Sequence, residues 1–194
     1  MKESRGIRNN NPLNIRHSAD RWEGARAEQT DKSFVQFEIM AYGYRAAWKV
    51  LESYWKHFRE KRGLFTVGAI IGRWAPPSEN DTEAYIRTVL KLTSLGGKEV
   101  LPRPFMGIAL EKLGKLLMAM TVMECGIAYG DVDVQAIWEG YDLAFPGKRL
   151  DRMGRTKSME PLVLQPVPLP PALAQSYQDW DEYFDWSPMA HWGC

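Results

Sequence analysis

The clearest order in the chain is a change of hydrophobic period. Tyr44, Ala47, Trp48, Leu51, Trp55 and Phe58 recur at helical spacing over residues 41–60, with charged side chains between them. That pattern predicts an amphipathic helix with one apolar stripe. Gly63 closes it. Thr66 then stands where a helix cap would, ahead of Val67, Ile70, Ile71 and Trp74, and Pro76-Pro77 must stop the short helix that follows. In SENDTEAYIRTVLKL, Asn80 is placed to cap a third helix, with Glu83 as its capping-box partner. Tyr85, Ile86, Val89 and Leu92 form its buried stripe, and Gly96-Gly97 ends it. A fourth helix is expected from about Gly107 to Cys125 through Leu110, Leu113, Leu117 and Met120. A fifth follows Asp131 through Val134, Ile137, Trp138 and Tyr141, and stops at Pro146-Gly147.

Ahead of the helices the pattern is different. Residues 6–24, GIRNNNPLNIRHSADRWEG, suit neither regular element, because Asn bonds to its own backbone and Pro12 biases Asn11 away from helix. Such a loop is either a solvated surface or a wall of amide donors and acceptors for a polar, uncharged ligand such as a sugar. RWEGARAEQTDKSFVQFE, residues 21–38, predicts a β-hairpin, with Phe34, Val35 and Phe37 as β-formers and EQTDKS as the turn. The expected fold class is therefore α+β and mostly α-helical. Residues 1–150 form the domain. Five prolines in residues 161–171 make 151–171 an extended spacer. Residues 172–194 place Trp180, Trp186 and Trp192 among acids, and read either as a loosely docked end or as a linear docking motif.

Composition adds limits. With 194 residues, 45% of them apolar and 25% charged, the chain can bury one ordinary core. No run approaches the ~18 apolar residues of a membrane span, and MKESRGIRNNN has no apolar signal region. A reducing compartment is therefore the default, and any work outside it would need another route of delivery or release. Cys125 and Cys194 suggest no disulfide framework. The net charge of +1 conceals thirteen Lys/Arg against eight Asp/Glu in residues 1–62 and four unopposed acids in 172–194. The basic half fits either an anionic polymer or a plain solvated surface. No basic–aromatic interleaving or groove-reading helix points to nucleic acid.

No phosphate loop, nucleotide fingerprint, metal-ligand spacing or nucleophile signature is present, so no cofactor or metal is expected. Carboxylates, amides and aromatics remain, which are the ingredients of a carbohydrate site. Asn9, Asn10, Asn11, Arg16, Trp22 and Tyr42 are candidate wall residues. For Trp22 and Tyr42 the competing reading is core, for Arg16 a surface charge, and for the asparagines turn chemistry. Trp74 and Tyr85 fall on apolar stripes and read as core.

GIRNNNPLNIR, RWEG, DKSFVQFEIMAYGYRA and RWAPPSENDTEAYIRTV together resemble a family of phage and prophage proteins, the structural protein P5-like or virion-associated lysozyme-like proteins. The resemblance covers about residues 5–95. The order of features is similar, more distantly, to flagellar-type glucosaminidases of the lysozyme superfamily. There an acidic "ES" at a helix end precedes an Asn loop, a "W.G" lead-in to a hairpin, and an aromatic return to the next helix. The resemblance implies a lysozyme-like helical domain with one small hairpin. It also implies cleavage of peptidoglycan glycan strands by paired carboxylates, in the virion or at the cell wall. Glu3 would stand for the "ES" acid, Glu28 or Asp31 for a second carboxylate on the hairpin, and Glu38 for an acid near the cleft. Only residues 1–4 precede the loop here, so the competing expectation is a non-catalytic virion or assembly protein. It would keep the fold as a wall-binding or packing module, with residues 172–194 docking a partner.

Overall fold

The computed structural model describes residues 3–61, 63–105 and 110–148. The expected spacer at 151–171 and acidic aromatic segment at 172–194 lie outside the described residues. In chain order the elements are α1 (Arg5–Arg8), α2 (Met40–Glu60), α3 (Val67–Trp74), α4 (Thr82–Thr93), α5 (Glu111–Cys125) and α6 (Val134–Ala144). A 3-10 turn at Tyr129–Asp131 precedes α6. The protein is mostly helical, and the five helices expected from periodicity are all present. The single turn of α1 was not expected.

α5 organises the core. Leu113, Leu116, Leu117, Ala119, Met120 and Val122 are all fully buried, and from Leu116 to Cys125 every position of this helix is buried. It packs against α1, α4 and α6, while α2 lies along α6. Close approach of α2 and α6 depends on Gly140, where a Cβ would stand 2.7 Å from the Ala41 carbonyl oxygen. The seam is filled by Trp48, Trp138 and Tyr141; the Trp48 ring stands edge-on to Tyr141 at 5.0 Å and its Nε1 donates to the Ile137 carbonyl at 2.9 Å. Burying each such ring stabilises the fold by about 1.5–3 kcal/mol.

Two helix starts differ from the sequence expectation by one or two residues. Thr66 does cap α3, but Asp81, not Asn80, caps α4, and Asp133, not Asp131, caps α6. In each case a nearer carboxylate bonds the free amide of the first turn, and a carboxylate also suits the positive helix end.

The hairpin is the larger correction. Among the described residues strand pairing is reduced to two isolated antiparallel bridges, Arg16 with Phe34 and Ala25 with Phe37. The reason is side-chain competition for the backbone. Gln36 Oε1 accepts from the Thr30 and Asp31 amides at 2.6 and 3.2 Å, and Gln29 donates to the Arg26 and Gln36 carbonyls at 2.8 and 2.9 Å. Part of the ladder remains, with the Arg26 amide on the Gln36 carbonyl and the Glu38 amide on the Gly24 carbonyl, while the Gln36 amide is taken by Gln29 Oε1. Gly24, at φ 74°, lies flat on the Tyr42 ring and joins this region to α2.

Candidate functional site

Two polar centres flank the N-terminal loop, each built around one carboxylate. Asp31 forms the first. Its Oδ2 accepts from Arg5 Nε at 2.6 Å and Asn9 Nδ2 at 2.8 Å. Its Oδ1 accepts from Arg5 Nη2 at 2.5 Å and from the Ser33 and Phe34 amides at 3.0 Å. Burial opposes ionisation of Asp31, but the Arg5 fork and these amides outweigh it and hold the carboxyl well below its usual range.

The asparagines expected to face a sugar are engaged with the chain itself. Asn11 is fully buried; its Nδ2 donates to the Ile15 and Val35 carbonyls and its Oδ1 accepts from the Ile15 amide, all at 2.8 Å. Asn9 is buried between Asp31 and Gln36. Asn10 adopts φ 51° and donates to the Phe37 and Glu38 carbonyls at 3.1 and 3.0 Å. Together they brace residues 9–15 against 35–38. Arg16 stacks over the Phe34 ring at 5.3 Å. Trp22 is half-buried against the core, and Tyr42 supports Gly24. Glu3, Glu28 and Glu38 are exposed, and only the backbone of Glu3 and Glu38 takes part in a described hydrogen bond.

Glu124 forms the second centre. This residue lies in the last turn of α5 and is 5% exposed. Its Oε1 accepts from Trp74 Nε1 and Tyr85 OH, both at 3.1 Å, and its Oε2 accepts from Asn14 Nδ2 at 3.0 Å. Four segments of the chain therefore meet on one carboxylate. Burial pushes its pKa up to about 7, and the three neutral donors only partly oppose that. Next to it, Gly6 admits the Cys125 thiol, which donates to the Pro12 carbonyl at 3.3 Å.

Chemically, Glu124 can hold or release a proton near neutral pH, whereas Asp31 is fixed as an anion. The sequence reading did not single out Glu124. The available signal was an ionisable residue closing the apolar run LLMAMTVMEC, which is rare unless it has partners. Those partners lie 39 and more positions away, so nothing local revealed them. Trp74 and Tyr85 are buried as expected, but each also presents its polar tip to Glu124. Among the described residues no group of three His, Cys, Asp or Glu is placed to hold a metal ion. No described helix is long and apolar enough to cross a membrane.

Comparison with known proteins gives one informative likeness. The chain is 42% identical over 95 residues to Protein P5 of Pseudoalteromonas phage PM2. The match covers 47% of this chain and 57% of that protein, so it spans little more than half the length of that relative. No protein-family model matches the chain.

Proposed function

We propose that this chain is a phage-type virion structural or assembly protein whose helical domain, lysozyme-like in the order of its parts, serves as a wall-binding or packing module. The observation that carries this reading is internal satisfaction of the polar loop. The Asn9, Asn10 and Asn11 amides and the Asp31 carboxylate each bond to the chain's own groups. Groups so engaged hold a shape and leave few valences for turning over a substrate. Likeness to Protein P5 of a phage supports the same reading. Incubation with purified peptidoglycan sacculi followed by sedimentation tests it. The protein should pellet with the sacculi, and protein left wholly in the supernatant would contradict wall binding. Residues 172–194 are proposed to dock a virion partner; deleting everything after Pro171 should leave sacculus binding intact and abolish assembly.

A second reading, glycan cleavage, is favoured by Glu124 alone. A carboxyl lifted to about 7 in a pocket of Trp74 and Tyr85 has the proton affinity of a general acid. α5 brings this acid to the Asn loop from later in the chain, whereas the resemblance implies a helix preceding that loop. Glu124→Gln, assayed for release of reducing sugar ends, separates the two readings.

A further inference from the structure

The outer face of α2 carries an aromatic and basic cluster that the fold leaves open. Trp55 is half-buried there, with the Phe105 ring edge-on to it at 5.3 Å. The Arg59 and Arg103 guanidiniums lie over its indole at 5.5 and 5.0 Å. Both arginines are exposed, and among the described residues neither side chain meets a carboxylate or another hydrogen-bond acceptor. The nearby Glu52 is shared by Lys49 and Lys56, so its charge is already met. Beside the cluster run two segments joined by the Leu101 amide and the Phe65 carbonyl at 2.8 Å, with Phe65 against Phe58 of α2. Each exposes one large apolar side chain, Leu64 and Val100. Apolar surface next to unpaired guanidiniums suits a partner that combines aromatics with acids.

The last described residues lie next to this face. Phe145 packs against Phe105 at 6.3 Å, and the Lys148 amide turns back onto the Phe145 carbonyl at 3.0 Å. From there residues 149–171 can span roughly 70 Å at about 3.1 Å per residue, enough to return residues 172–194 to Trp55. Those residues hold Asp179, Asp181, Glu182 and Asp185 with no Lys or Arg, interleaved with Trp180, Trp186 and Trp192. Their carboxylates match the free guanidiniums, and their indoles match the apolar margin. Tethering gives this segment an effective concentration that a separate chain lacks.

We infer that in the free protein residues 172–194 fold back onto the Trp55, Arg59 and Arg103 face of their own chain. This rests on the docking role proposed above for that segment and adds its regulation. The side chains that engage a virion partner are held on the domain, and the partner must displace that contact to bind.

A nitroxide on Cys194 of the full chain tests the fold-back. Cys125 is buried, so Cys194 takes the label. In the isotope-enriched protein, the Trp55 indole and the amides of Arg59 and Arg103 should lose intensity, and the loss should reverse when the nitroxide is reduced. An Arg59→Gln, Arg103→Gln double variant should abolish the loss, as should neutralising the four acids with Asp→Asn and Glu→Gln. Both arginines are exposed, so resonances elsewhere in the variant should keep their positions, which separates loss of docking from loss of fold. No loss at this face, or an unchanged loss in the double variant, would overturn the inference. Broadening of an enriched chain by a nitroxide carried on a separate, unenriched chain would place the contact between copies and overturn the fold-back as well. The docking role fails separately, if the chain ending at Pro171 still assembles.

Discussion

Asp31 and Glu124 are both carboxylates that tie the N-terminal loop to the rest of the molecule, yet they end in opposite electrostatic states. Asp31 meets a guanidinium and two backbone amides and remains charged. Glu124 meets an indole, a phenol and an amide, all neutral, in the interior. Both accept several hydrogen bonds, so the number of donors does not separate them. Depth of burial and one formal positive charge do. The lesson is that neutral donors orient a buried carboxylate without fully compensating for its lost hydration.

The sharpest way to break the Asp31 side is to remove the brace beneath it. Asn11→Ala would leave the Ile15 amide and the Ile15 and Val35 carbonyls unpaired in the interior. At about 1–3 kcal/mol for each orphaned group, partly relieved by water, the loss should be about 4 kcal/mol in chemical denaturation. Asp31→Asn should cost less, about 2 kcal/mol, because Arg5 is partly exposed and can turn to solvent.

The pH dependence separates the two centres further. Glu124 has an ordinary value of 4.5 when unfolded and about 7 when folded, so the folded state binds the extra proton between those limits. Its stabilising contribution is complete below about pH 4.5 and is lost as pH rises through 7, with an upper bound of about 3 kcal/mol. Asp31 runs the other way: its folded value is depressed, so its contribution is present above its ordinary 3.8 and lost as pH falls below that. Urea unfolding of wild type and Glu124→Gln across pH 4–8 should show the slope between 4.5 and 7 in wild type only. At pH 5 the substitution itself should cost about 1 kcal/mol, the smallest effect of the set, since a glutamine amide can still accept from two of the three donors.

The helices were legible because each buries a stripe at a regular spacing, and Trp48, Ile70, Val89, Leu117 and Ile137 all reached the core as their periodicity implied. Cap positions slipped by one or two residues at Asp81 and Asp133, where adjacent polar residues compete for one role. The hairpin was over-read for a similar reason. Phe34, Val35 and Phe37 are buried as β-formers would be, but Gln29 and Gln36 hold part of the backbone that a ladder would need. The site was the least legible part. Asn9 and Asn11 were visible as unusual residues, while their inward direction depends on Val35 and Gln36, more than twenty positions away. Glu124 left only a faint trace, since a single acid at the end of an apolar run says nothing about Asn14, Trp74 or Tyr85.

The proposed function makes the amides of residues 9–11 a scaffold and the domain a module that binds wall material without cutting it. Quantifying new reducing ends after prolonged incubation of wild-type protein with purified sacculi tests this most directly. The account predicts protein bound to the sacculi and no release above buffer at any pH from 5 to 8. Release that disappears in Glu124→Gln, in a variant that still folds and still binds, would contradict it.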